Sequence, residues 1–405
     1  MKLFYFEMKK LIFNKNRLIL LAATFIIFTL MSLLTSSVVF EMRSSSSYQE
    51  YLNLVKKYSG ILNPQQLAES KQISETARAS HEAEYGKGEN DLFMVYLFRN
   101  PVMKFHYDYG NFGKRVYEYW HGPEPQDKSD IKGVYPLEEK LEALKNQEDS
   151  YEYKYYQKRL ETELLYGEPV FANKQFWGNF FASFDISRVV FLFLMVLAFF
   201  IAPVFTREIK DDMNGIILCS LKGRREIVTA KLLSVCSTSA ILTAVYFSGN
   251  FIGAFIANGN IAGFDAPARC LEAFGQTSID TTVGGMALLG ILWTMLAAVV
   301  FGLAVCLISA WAKNQTSVFG LSILFILTFS MMGFLNDSIY EMIWPLIDFN
   351  FVTLSLFGII FGGSTMYNFL GMPLSYGMAA FIVCMALSAI AVLLTYFAQN
   401  KRSVV

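Results

Sequence analysis

From Leu18 to Phe40 the chain carries no charged residue. Read as a helix, a run of that length covers the roughly 30 Å of hydrocarbon that about 20 residues are needed to cross. Val189 to Thr206, Thr281 to Ala312, Asn314 to Asn336 and Leu374 to Asn400 are likewise uncharged, and nothing charged lies between Lys231 and Asp265. Runs of this kind predict spanning helices, because hydrocarbon offers no water to unpaired backbone groups.

Of the 405 residues 54% are hydrophobic and only 17% charged, with the charges gathered into a few segments. The 34 basic and 34 acidic residues cancel, which gives no general field for nucleic acid. Lys2, Lys9, Lys10, Lys15 and Arg17 precede the first run as they would in a signal peptide. The run exceeds a signal core of about 7 to 15 residues, so an uncleaved first span is expected. Ahead of it, Phe4, Met8, Leu11 and Ile12 fall on one helical face and Lys2, Lys9 and Lys10 on the other, predicting an interfacial helix.

Residues 1–40 thus read as interfacial helix and first span, 41–185 as a polar, extracellular domain, and 186–405 as a membrane domain with spans 2–6. In the polar domain, Asn63 before Pro64 predicts an N-cap and a helix to Tyr85. Leu137, Leu141, Leu144, Tyr151 and Tyr155 predict one long helix from behind Pro136 to about Tyr166. Phe176, Trp177, Phe180, Phe181 and Phe184 predict an aromatic re-entry into the headgroup layer. The stretch from Lys231 to Asp265 would make a helix of about 50 Å, too long for a bilayer, so a break is expected at Gly249, Gly253, Gly259 or Gly263.

Basic residues cluster at the N-terminus, in Arg207 to Lys231, at Lys313 and at Lys401 with Arg402, whereas Gly259 to Asp280 and Asp337 to Pro373 offer only Arg269. The positive-inside rule places the first group, and both termini, in the cytoplasm. Crossings must then be even in number. The glycines at 358, 362 and 363 mark residues 349–370 as a re-entrant segment. The predicted fold is an all-α polytopic membrane protein with six transmembrane helices, an interfacial helix, a mainly helical extracellular domain and that re-entrant segment.

No Asp, Glu, Lys, Arg or His lies inside the predicted span cores, which disfavours a proton-driven carrier and an intramembrane protease. There is no G-x-x-x-x-G-K-[ST] phosphate loop. His81, His106 and His121 lack metal-site spacing. Neither catalytic nor metal-binding residues are predicted, and no cofactor in this chain. A membrane enzyme would draw on Asp265, Glu272, Asp280, Asp337, Glu341 and Asp348, but only Arg269 accompanies them.

What remains is the charged stretch Thr206 to Lys231, in which Met213, Ile217 and Leu221 share a helical face between basic and acidic flanks. Arg207 and Glu208 at the end of the second span, an apolar middle, Ser220, Gly223, Arg224, and Lys231 opening the third span resemble the permeases of type-2 ATP-binding-cassette exporters. The resemblance covers Met1 to Phe40 and Ser187 to Val405; the long domain between is found in a subset of such permeases. It implies that residues 207–225 form a coupling helix seated on separate ABC ATPase subunits, which hold the ATP and Mg. Glu208 and Arg224 would make the polar contacts there, within a coupling set that also holds Arg207, Gly223 and Arg225; Met213 and Ile217 would form the apolar seat, and Lys231 would anchor the third span at phosphate level. A second permease copy, identical or similar, is implied, in a bacterial plasma membrane. The bulky polar domain and aromatic spans favour a peptide or lipid-like substrate for export. The alternative expectation is an ATPase-linked sensor or mechanotransmission subunit that transports nothing.

Overall fold

The computed structural model describes residues 2–36, 39, 42–85, 90–121, 134–167, 170–185, 187–210, 223–332 and 337–401. Among them are six helices long and apolar enough to cross a membrane, with a large, mostly helical region between the first two. The chain is a polytopic all-α membrane protein.

Helix α1 (Lys2–Leu11) and α2 (Lys15–Thr35) are parted at Asn14, whose side chain accepts from the backbone N–H groups of Asn16 and Arg17 and so caps α2. The second span is built from α3 (Ser187–Ile201) and α4 (Pro203–Lys210). Then come α5 (Gly223–Asn258), α6 (Val283–Trp311), α7 (Gln315–Met332) and, last, α8 (Tyr376–Lys401). Six crossings bring both ends of the described chain to one end of the bundle. The second span is the central post, with 72% of its apolar window buried, while the first, fifth and sixth are 17%, 17% and 22% buried and present their sides outward.

The break expected in the long third run falls at Gly259 and not at Gly249 or Gly253. Helix α5 is unbroken, and Gly249 and Gly253 are contact points: a Cβ at Gly253 would lie 2.5 Å from the Thr29 carbonyl and 2.7 Å from Ser32 Cβ. Small residues let α2 and α5 approach closely, and Ser32 Oγ donates to the Asn250 carbonyl at 2.7 Å. The helix ends at Gly259, whose φ of +66° suits glycine.

Between the first two spans lie α9 (Tyr48–Lys57), α10 (Pro64–Tyr85), α11 (Asn90–Arg99), α12 (Pro101–His121), α13 (Val134–Ala143) and α14 (Tyr151–Tyr166). Asn63 caps α10 as predicted, accepting from the Gln65 and Gln66 N–H groups. The single helix expected behind Pro136 is two. The break falls at Leu144–Ser150, where Ser150 takes up a new N-cap by accepting from Tyr153 N. This inter-span domain has its own core of Met42, Tyr51, Val55, Tyr58, Leu62, Phe105, Tyr109, Phe112 and Phe171. Strands β1 (Gly60–Ile61) and β2 (Val170–Phe171) pair antiparallel and bring the domain's two chain ends together.

Helix α15 (Gln175–Asp185) packs with the membrane helices, since Phe176, Trp177, Phe180 and Phe181 belong to their core. By packing, the domain therefore ends near Lys174. Past α16 (Asp337–Asp348), the run 349–370 holds only α17 (Phe351–Leu354), α18 (Phe357–Phe361) and β3 (Met366–Phe369), which pairs with β4 (Met372–Ser375). None of these crosses. Their backbone is secured from neighbours: Trp293 Nε1 donates to the Leu354 carbonyl at 2.8 Å, Asn350 caps α17, and Asp185 Oδ1 accepts from Gly358 N–H at 3.0 Å.

Candidate functional site

The second span is interrupted by Pro203, which has no N–H for the carbonyl of Phe199. Arg17 takes that carbonyl at 3.2 Å, its guanidinium 4.8 Å from the ring centroid of Phe199 and 5.2 Å from that of Phe200. On the other side of the break, Ser309 Oγ donates to the Ala202 carbonyl at 2.9 Å and accepts from Phe205 N–H at 3.2 Å. The freed Phe199 and Ala202 carbonyls are thus both bonded, and α4 leaves the interruption aimed at the start of α5.

There four charged side chains meet. Lys231 of α5, 1% exposed at its side chain, places Nζ 2.8 Å from Glu208 Oε1 and 3.1 Å from Glu7 Oε2, and donates as well to the Val204 carbonyl. An ammonium has three donors, and each finds an acceptor. Lys10 bonds the same two carboxylates from the rim, at 2.9 Å to Glu7 and 3.3 Å to Glu208. The Phe205 ring centroid lies 5.1 Å from Lys231 Nζ. Two cations and two anions balance, so the cluster is neutral in sum, with Lys231, Glu208 and Glu7 out of water and Lys10 at its rim. This matters because a buried ion pair holds only with such geometry, and losing one partner strands the other. The cluster ties α1, α4 and α5 into one unit at the end of the bundle where the chain termini lie.

The predicted site residues divide around it. Glu208 and Lys231 come together, both buried, in one internal ion cluster. Arg207 and Arg225 are exposed on either side. Gly223 and Arg224 begin α5. Met213 and Ile217 lie outside the described residues. Glu7 and Lys10 were not predicted; the available signal was that Glu7 is the only acid among the first 40 residues, on a helix otherwise basic.

At the opposite end the inter-span domain is fastened to the membrane helices. Arg269 is bidentate to Glu163 of α14, at 2.6 and 3.4 Å, and donates to the Thr277 carbonyl at 3.0 Å. Arg43 Nη1 donates to the carbonyls of Ile256 and Ala257 at 3.0 and 3.1 Å, serving the C-terminal end of α5. His106 Nδ1 lies 3.1 Å from Ser70 Oγ, and burial lowers its pKa below the ordinary histidine value. His81 packs on Phe93 and Tyr96. Among the described residues no group of three His, Cys, Asp or Glu could hold a metal ion.

No family model matches the chain, and no curated protein is significantly similar to it in sequence.

Proposed function

We propose that the chain is the permease subunit of an ATP-driven exporter, moved by separate ATPase subunits and working beside a second permease copy. The end of the bundle bearing α1 and the charge cluster would face the cytoplasm, and the inter-span domain the outside. The cluster carries this reading. It locks the last turn of the second span, the first turns of the third and the interfacial helix together, directly flanking residues 211–222. A push on that stretch would pass into both spans and α1 at once, because separating them exposes unpaired buried charge. The chain itself would be no enzyme, and its cargo a bulky amphiphile, peptide or lipid-like, suited to aromatic walls.

The test places a photo-crosslinker at Met213 or Ile217 of the chain made in its native cells, and cross-links to an ABC ATPase are expected. Modification of the same positions by an impermeant reagent added outside the cell would overturn the orientation and the mechanism with it. The Arg269–Glu163 clamp also suits a second reading, a sensor that passes a ligand signal inward and carries nothing. ATP-dependent flux in vesicles of the purified complex separates the two, since a sensor gives none.

A further inference from the structure

At the seam between the inter-span domain and the membrane helices lies a cavity of about 580 Å³ that neither the coupling cluster nor the clamp uses. The size suits a small organic ligand, and junctions of folded units are where such sites concentrate. Its walls come from the end of α2, from α9, α12 and β2, from one side of α15, and from residues 271–273.

Tyr51, Phe105, Phe171 and Phe181 stand in its lining, between aliphatic and amide side chains. Among the described residues five charged side chains complete it. Lys104 and Asp108 satisfy each other at 2.6 Å, and Lys174 points its ammonium at the Phe112 ring, 4.0 Å from the centroid. Among the described residues Asp185 has no cation bonded to it. Asp185 uses Oδ1 for the Gly358 N–H at 3.0 Å, and burial pushes its carboxyl up to about 6, as for a group short of compensating positive charge. Aromatic faces beside a carboxylate are the two features that together hold an ammonium group.

We propose that this cavity binds a cationic amphiphile, a protonated primary amine on an apolar body, with Asp185 as its counter-ion and the aromatic walls around the body. Glu272 and Ala182 are exposed, so the mouth opens to the surface. Gly178 lines the cavity, and a Cβ there would meet nothing within 4 Å. The helix face thus keeps room that a side chain would fill.

The probe is tritiated dodecylamine, measured at equilibrium on the full chain in nanodiscs of zwitterionic lipid, with empty nanodiscs subtracted. Dodecanoate and dodecanol are the length-matched anionic and neutral comparisons. Saturable dodecylamine binding is expected, at least tenfold tighter than either comparison. Asp185→Asn keeps an oxygen to accept from Gly358 N–H and removes only the charge; it should weaken dodecylamine at least tenfold and leave dodecanol unchanged. Gly178→Leu puts a side chain into the cavity from a position where a Cβ meets nothing within 4 Å, and should abolish saturable binding. Wild-type protein that shows no saturable binding, equal affinity for dodecanoate, or binding untouched by both substitutions would each overturn the site. No ATPase or transport enters the measurement, so its failure is separate from failure of the exporter reading.

Discussion

Replacing Lys231 by Met retains most of the side-chain volume and removes one positive charge from the cluster. Glu7 and Glu208 would keep only Lys10, at 2.9 and 3.3 Å, and the Val204 carbonyl would lose its donor. One cation then faces two carboxylates that are almost wholly buried. Removing one partner of a buried pair costs about 3–5 kcal/mol, much of it the stranded opposite charge. Against a domain stability of about 5–15 kcal/mol that is a large loss. The test of its origin is the double variant Lys231→Met with Glu208→Gln, which restores one cation against one anion. It should recover about 1–3 kcal/mol relative to Lys231→Met alone, the coupling typical of residues in one network. Arg225→Ala, on an exposed side chain of the same helix, should stay within about 0.5 kcal/mol of wild type. Reversible unfolding in bicelles, by steric trapping, gives the values for wild type, these three variants and Glu208→Gln alone, which completes the cycle. If Lys231→Met falls within about 1 kcal/mol of wild type, or the two substitutions prove additive, Lys231 is not buried among these carboxylates and the three helices are not joined there.

Three further outcomes can be checked by similar means. Gly253→Leu must displace the Thr29 carbonyl and Ser32 from α2, with a loss of about 1–3 kcal/mol in the same unfolding assay, whereas Gly320→Ala, with nothing within 4 Å of its new Cβ, should be neutral or stabilising by up to about 1 kcal/mol. The Asp185 carboxyl is held up from 3.8 to about 6 by burial, so its contribution is fully present below pH 3.8, is lost as pH rises through 6, and is flat beyond. The difference is worth roughly 3 kcal/mol, so wild-type stability minus that of Asp185→Asn should fall by that order between pH 4 and 7, and parallel curves would refute it. Glu163→Gln weakens the bidentate contact with Arg269, costing about 1–3 kcal/mol locally, which hydrogen exchange should show as faster opening of α14 with the spans unchanged.

What could be seen in the residues beforehand was whatever is decided locally. Long uncharged runs mark spans because the bilayer core tolerates little else, and Asn63 before Pro64 marks a helix start because the cap is made within three residues. The re-entrant run was readable from charge parity, a constraint on the chain as a whole. Where the outcome turned on a distant partner, local pattern misled. Gly249 and Gly253 have the composition of a break and serve as a contact, because α2 arrives from more than 200 positions away to cover them. Lys231 has the look of a surface anchor and is buried, because its acceptors include Glu7, 224 positions earlier. The helix behind Pro136 was drawn too long for the opposite reason: apolar spacing continues through Leu144–Ser150, but Ser150 offers its backbone a nearer bond than the helix does.

Helix α5 joins the two tethered ends of the molecule. Lys231 is fixed in the charge cluster, and the carbonyls of Ile256 and Ala257 are held by Arg43 at the entry to the inter-span domain. At about 1.5 Å per residue these points stand roughly 40 Å apart, about the full bilayer including its headgroups. The helix has no proline and no break between them, and its glycines are pressed against α2. A rod so supported does not absorb a displacement by bending. Tilting its charged end must therefore carry α1 and α4 along, and at the far end must either move the Arg43 contact or break it. The second span differs, since Pro203 interrupts it a few residues from the cluster, with Ser309 and Arg17 holding the freed groups. Of the two spans leaving the cluster, one is built to transmit and the other to flex, so motion applied there would reach the inter-span domain through α5.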